Sequence, residues 1–275
     1  MKIKDLLKVG FDILKDNTEE ANLKTKLLLS YLLKVNKEYF IIHDNEEVVA
    51  SIVEEFKNKI EELKKGKPIQ YITNVQEFMG LNFYVDENVL IPQPDTEILV
   101  EETINLINKY NAKKILDLCT GSGAIAIALK KNCNFTELMG ADISKAALQV
   151  AMKNAKSNEV NIDFRGSNMF ESINEKFDII VSNPPYIENE VIKTLPREVQ
   201  NEPYIALAGG DDGLDFYKII AKEAKKYLNQ NGIVVVEIGY NQRESVMKLF
   251  EQEGYKEIYS KKDFGQNDRI VVAKI

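Results

Sequence analysis

Ile115-Leu116-Asp117-Leu118-Cys119-Thr120-Gly121-Ser122-Gly123-Ala124-Ile125-Ala126 runs through a strand, a glycine turn and a helix start in one stretch. Glycines at such a junction let the backbone approach a ligand, and the helix N-terminus follows at once. From residue 113 onward the apolar patterning keeps repeating this unit. It predicts strands at 113–118, 137–142, 162–165, 177–182 and 232–239, and helices near 123–131, 144–157, 213–229 and 241–253. A final pair, 255–260 and 269–274, leaves little room for a helix between them, so the last strand should enter the sheet antiparallel. Alternation of this kind means a doubly wound, mainly parallel α/β sheet.

The glycine turn leaves its ligand open. Gly121-x-Gly123-x-x-Ala126 matches the dinucleotide fingerprint, and Asp142 ends the next strand, where an acid can accept both hydroxyls of a ribose. Asp117 tilts the balance: a carboxylate there repels a pyrophosphate and attracts a sulfonium and an amino group. As plain structure, Asp117 would be a capping acid and the glycines an ordinary turn.

A second motif ends the strand expected at 177–182. Asn183-Pro184-Pro185-Tyr186 supplies a stiff turn, because consecutive prolines have fixed φ and no N–H. Its acceptors are the Pro184 carbonyl and the Asn183 side-chain oxygen, and Tyr186 adds a flat face. Two acceptors and a flat wall suit an –NH2 on an sp² carbon. Asn-Pro pairs also mark structural turns, so the chain upstream has to decide.

The remaining residues narrow the chemistry. With Cys119, Cys133 and the single His43, neither a disulfide framework, a His-based metal centre nor a Ser-His triad is expected, and His43 reads as an end-of-helix surface residue. Net charge is −7, and the Lys clusters alternate with Glu, which argues against a grip on a long phosphate backbone. No long apolar run is present, and Met1-Lys2-Ile3-Lys4-Asp5 leads into an amphipathic segment, so a cytoplasmic protein is expected.

Ahead of the α/β part, residues 1–67 read as a small helical domain. Leu6, Leu7, Phe11, Ile13 and Leu14 form one apolar stripe, and Leu23, Leu27, Leu28, Tyr31 and Leu32 form a second. Ile52, Val53, Phe56, Ile60 and Leu63 give a third, stopped by Gly66 and Pro68. Residues 68–92, with Tyr71-Ile72, 78–85 and Val89-Leu90-Ile91, read as a β-hairpin connector. Residues 93–275 form the third part, opening on a helix with Ile98, Leu99, Ile104 and Ile107 on one face.

Taken together, these motifs resemble the peptide-chain-release-factor glutamine N5-methyltransferases, class I enzymes that use S-adenosylmethionine. The resemblance also rests on Pro68-Ile69-Gln70-Tyr71-Ile72, on Leu90-Ile91-Pro92-Gln93-Pro94-Asp95-Thr96-Glu97, on Glu202-Pro203 and on Ala206-Leu207-Ala208-Gly209-Gly210-Asp211-Asp212-Gly213-Leu214. Glu237-Ile238-Gly239 and Asp268-Arg269 complete it. Three positions depart from the family pattern: Gln93 stands for Arg, Asn168 for Asp, and Cys119 for Gly.

The resemblance implies a seven-stranded Rossmann-like methyltransferase sheet and a substrate-recognising amino-terminal domain. It implies a monomer without metal that releases S-adenosylhomocysteine and methylates the glutamine of a Gly-Gly-Gln motif in class I release factors, with no stable nucleic-acid or membrane partner. Cofactor contacts fall on Asp117, Cys119, Thr120, Gly121, Ser122, Gly123, Asp142, Asn168, Met169 and Asn183. Asn183, Pro184, Pro185 and Tyr186 hold the substrate amide, with Asn183, Pro184 and Tyr186 at the reacting centre. Asn-Pro-Pro-Tyr is shared with adenine-N6 nucleic-acid methyltransferases, which stay open as an alternative beside ribosomal-protein glutamine methyltransferases.

Overall fold

The computed structural model describes residues 1–133 and 136–275, which form two compact units. One comprises Met1–Asn74 with Pro196–Asn201, the other Val75–Leu195 with Glu202–Ile275. Along the chain the first boundary between them falls after residue 74.

The first unit is built from α1 (Ile3–Leu14), α2 (Ala21–Leu33), α3 (Tyr39–Ile42), α4 (Ala50–Lys64) and α5 (Ile69–Thr73). Leu6, Leu28, Leu29, Phe56 and Ile60 are fully buried and make its core, as their helical spacing requires. Phe11, Leu23 and Tyr31 belong to the same stripes yet stay exposed, because the stripes are wider than the face the core covers. Tyr71 and Ile72 lie in α5, not in a strand. Pro68 caps that helix and Asn74, at φ 55, ends it, signals that punctuate a short helix as readily as a strand. His43 follows α3, stacked on Tyr39 with Nδ1 2.6 Å from Glu46.

The second unit opens on a hairpin, β1 (Gln76–Phe78) and β2 (Leu81–Phe83). Met79 and Gly80 both have positive φ, which is the geometry of a two-residue hairpin turn. Phe78 and Phe83 meet edge to face and are buried. Val89-Leu90-Ile91 form no strand. A 3-10 turn, Pro94–Thr96, then leads into α6 (Glu97–Tyr110).

Among the described residues seven strands form the main sheet: β3 (Lys114–Leu118), β4 (Glu137–Asp142), β5 (Asp163–Gly166), β6 (Phe177–Ser182), β7 (Leu228–Glu237), β8 (Lys256–Lys262) and β9 (Asp268–Lys274). Their order is β5-β4-β3-β6-β7-β9-β8. Pairing is parallel from β5 to β7, and β9 enters antiparallel between β7 and β8. Side-chain alternation sends Ile115, Ile179, Val181 and Val235 to one face, under α6 and α7 (Ala124–Asn132). Leu116, Leu118, Ile180 and Val234 go to the other face, under helices Asp215–Glu223 and Arg243–Gln252. One α-helix over 213–229 does not form. It covers Asp215–Glu223, a 3-10 turn follows, and β7 starts at Leu228 with a shift in register before Ile233.

Candidate active site

β3, β4 and β6 run parallel and side by side, so the loops after them emerge at one carboxyl edge of the sheet. Successive connections diverge there, and open α/β sheets bind ligands at such a point. A cavity opens at this edge, with ≈ 1090 Å³ of empty space counting its solvent-open mouth. Cys119, Thr120, Gly121 and Ser122 from the glycine loop line it, as do Asp142, Asn168, Met169, Asn183 and Pro185.

The glycine loop is held from below and from the side. Gly121 and Gly123 have φ of 53° and 79°, which turn the chain from β3 into α7. The Gly121 N–H donates to Asp142 Oδ2 at 2.8 Å, and the Ser144 N–H donates to Asp142 Oδ1 at 2.9 Å. Each carboxylate oxygen keeps a further lone pair. Burial raises the Asp142 pKa, and these backbone donors work against the rise.

Asp117 does not line the cavity. Alternation along β3 points it at the α6–α7 face, where it is fully buried. Its Oδ2 accepts from the Thr120 hydroxyl at 2.6 Å and from the Ala126 N–H at 3.1 Å, so it pins the loop to the start of α7. Oδ1 is buried without a hydrogen-bond partner. Burial, with a smaller push from Asp142, lifts this carboxyl to about 7.

Cys119 has φ 62, the left-handed region that a side chain occupies at a cost of about 1–2 kcal/mol. Its Sγ lies 3.9 Å from the sulfur of Met169. Asn168 is exposed and donates from Nδ2 to Glu171 at 2.9 Å.

The Asn-Pro-Pro-Tyr turn is divided in role. Asn183 donates from Nδ2 to Thr96 Oγ1 at 3.2 Å, while Pro185 walls the cavity and Pro184 is buried outside its lining. Tyr186 also stands outside the lining and packs on the apolar face of the sheet opposite α6. Its hydroxyl donates to Glu237 Oε1 at 3.2 Å, and burial holds its pKa well above the usual tyrosine value. The glycine-rich stretch after the turn fixes this backbone. Gly209 N–H donates to the Ile187 carbonyl and Ile187 N–H to that of Leu207. A Cβ on Gly209 would sit 2.6 Å from the Tyr186 Cα.

Thr96 lines the cavity without having been singled out individually by the sequence, and so does Gln93, which the sequence marked only as a departure from the family pattern. Both lie inside the segment 90–97 that carried the family resemblance, which was the one available signal.

A doubly wound sheet with this loop, acid and acceptor turn at one edge defines a methyltransferase domain, and residues 94–263 match the methyltransferase small domain model. Residues 5–73 match the PrmC N-terminal domain model. The chain is 41% identical to a release factor glutamine methyltransferase of Clostridium acetobutylicum, covering 99% of this chain and 98% of that one. It is 41% identical to a protein of the same name from Fusobacterium nucleatum, over 98% of this chain and 78% of that one. A crystal structure of a methyltransferase from Pyrococcus furiosus shares the fold at 16% identity and TM-score 0.54, covering 79% of this chain and 98% of that one. This chain belongs to the release factor glutamine methyltransferase family.

Proposed function

We propose that this enzyme methylates the side-chain amide nitrogen of the glutamine in a release factor's Gly-Gly-Gln motif, with S-adenosylmethionine as donor. Supporting the reading is Asn183, which lines the cavity with its Nδ2 engaged by Thr96, so that its Oδ1 is the amide group left to accept from a substrate. Such an acceptor suits the neutral –NH2 of a carboxamide.

The residues fit this donor. The Asp142 carboxylate lines the cavity beside the glycine loop, where it can face a cationic ligand that carries a ribose. When bound, S-adenosylmethionine supplies an electrophilic methyl group on a sulfonium. Asp142, anchored by two backbone N–H groups, keeps lone pairs for ribose hydroxyls. Asn168 and Met169 border the place of the base, and the 119–122 backbone that of the methionine part. Asn183 Oδ1 and the Pro184 carbonyl hold the two amide hydrogens of the substrate. A carboxamide nitrogen is a poor nucleophile while its lone pair is delocalised. Drawing both hydrogens to fixed acceptors favours a pyramidal nitrogen, and positioning of this kind supplies on the order of several kcal/mol. The proton leaves to solvent after transfer, once the nitrogen is cationic.

Within this proposal residues 1–67 recognise the substrate, 68–92 connect, and 93–275 carry the chemistry. Incubation with labelled cofactor and a purified release factor is expected to give a glutamine heavier by about 14 Da, and Asn183→Ala to lose that product while still binding cofactor. Labelling of ribosomal protein or DNA instead would replace the substrate assigned here. Among the described residues no helix is long and apolar enough to cross a membrane.

A further inference from the structure

The mechanism above leaves one buried amide unused. Asn154 is fully buried on the helix α8 (Lys145–Ser157), one turn beyond the place where that helix meets the glycine loop. A Cβ on Gly123 would come 3.1 Å from the Ala151 Cβ, so the loop backbone lies directly against α8 there. Asn154 Nδ2 donates to the Ser122 carbonyl at 2.9 Å and to the Tyr84 carbonyl at 2.9 Å. Its Oδ1 accepts from the Tyr84 N–H at 2.7 Å. A further turn along, Asn158 Nδ2 donates to the Asn82 carbonyl at 3.2 Å. Positions 151, 154 and 158 share one face of a helix. That face holds two backbones at once, the glycine loop and the chain leaving β2.

These bonds fix the direction of the amide. Two carbonyls take both Nδ2 hydrogens and an N–H meets Oδ1, so a turned-over amide would set its oxygen against two others. The Ser122–Gly123 peptide is held on both sides, because the Gly123 N–H donates to the Thr120 carbonyl at 2.8 Å. Ser122 lines the cavity. Tyr84 stands outside the lining, yet the chain it begins returns to the cavity four residues later, where Asn88, Val89, Leu90 and Pro92 form part of the wall. One side chain therefore sets where the glycine loop lies relative to the start of that wall.

We propose that Asn154 is a positioning residue for the cofactor: it ties the Ser122 carbonyl to the Tyr84 backbone, so that filling the glycine loop and ordering the chain after β2 are coupled events. The proposal rests on the S-adenosylmethionine reading above and deepens it, because it makes residues 84–92 respond to a ligand that Tyr84 does not line. A ligand that stabilises one arrangement of the loop then stabilises everything fastened to that arrangement.

Amide hydrogen exchange and calorimetric titration of the full-length chain with S-adenosylhomocysteine test it. In the wild type, saturation with S-adenosylhomocysteine is expected to slow exchange of the Tyr84 amide by about fivefold or more, and the ligand does not achieve this by covering it. Asn154→Leu keeps the approximate shape of the side chain and removes the donors. It should raise the dissociation constant about tenfold or more, as for buried carbonyls deprived of a partner. Asn154→Asp keeps an acceptor for Tyr84 but sets oxygen against the two carbonyls, so it should bind as weakly as the leucine variant. Asn158→Ala drops the Asn82 bond alone and should bind within about twofold of wild type. A folded Asn154→Leu or Asn154→Asp chain with wild-type affinity overturns the role. So does an equal loss in Asn158→Ala, because any loosening of α8 would then suffice. The exchange measurement needs no variant and decides the matter even where Asn154→Leu does not fold. Binding without protection of Tyr84 overturns this role alone, whereas a wild-type chain that binds no S-adenosylhomocysteine overturns the cofactor reading, and this role with it.

Discussion

At the scale of single residues the site turns on side-chain direction. Asp117 and Asp142 both end strands at the same edge, yet one lies beneath the loop and the other on the cavity wall. Sequence marks both as acids after apolar runs and cannot by itself say which side of the sheet each faces. Alternation can: Ile115 and Asp117 share a face, as do Val235 and Glu237. Cys119 shows what composition hides. Its left-handed backbone would suit glycine, and a β-branched side chain there is a genuine outlier. Cys119→Val should therefore destabilise the protein by about 2 kcal/mol, while Cys119→Gly should stay within about 1 kcal/mol, because lost strain and added chain entropy offset. Differential scanning calorimetry checks both, and equal midpoints for the two variants would contradict the strain.

At the scale of elements, the strands of the parallel sheet were legible because buried apolar runs bounded by glycine and acids have few alternatives. β8 and β9 were legible from the short link between them. The 68–92 stretch was read less well. Tyr71-Ile72 folded as a helical turn, since five residues between a proline and a left-handed asparagine do not declare their period. Helix 213–229 was overextended because Lys225 and Lys226 continue a helical charge pattern that Leu228 abandons for the sheet. The glycine-rich segment 206–214 carried meaning only once its neighbour was known: it is a strap against the Tyr186 backbone. Gly209→Ala must move that backbone, because a Cβ would come within 2.6 Å of it. The expected outcome is methyl transfer reduced about tenfold or more with cofactor affinity retained, as when a positioning element shifts by a fraction of an ångström. Single-turnover kinetics beside calorimetric titration measures the pair. Full activity in Gly209→Ala would show that the turn tolerates the shift.

At the scale of the molecule, the second unit buries three carboxyls whose pKa values are all lifted to about 7 by desolvation: Asp117, Glu202 and Glu237. Glu202 keeps one backbone partner, the Ile91 N–H at 2.8 Å, and Glu237 keeps Tyr186 and the nearby Arg269. Each such acid holds its proton in the folded state at a pH where the unfolded chain has released it. Between the ordinary aspartate value of 3.8 and about 7, the folded state binds more protons, so these groups make stability fall as pH rises through that window. Above about 7 both states are ionised and the loss is complete. The steepest contribution per group is about 1.4 kcal/mol per pH unit. Paired surface carboxylates act in the opposite direction, so the comparison has to isolate one buried acid. Asp117→Asn does so, because an asparagine oxygen still accepts from Thr120 and Ala126 but never ionises. Thermal midpoints of wild type and Asp117→Asn should lie close together near pH 5, and by pH 8 the variant should be the more stable by about 1 kcal/mol or more. A gap that stays constant across this range would mean that Asp117 ionises as easily folded as unfolded. The glycine loop would then be held by an ordinary ionised carboxylate through Thr120 and Ala126, and burial would not be what sets its proton affinity.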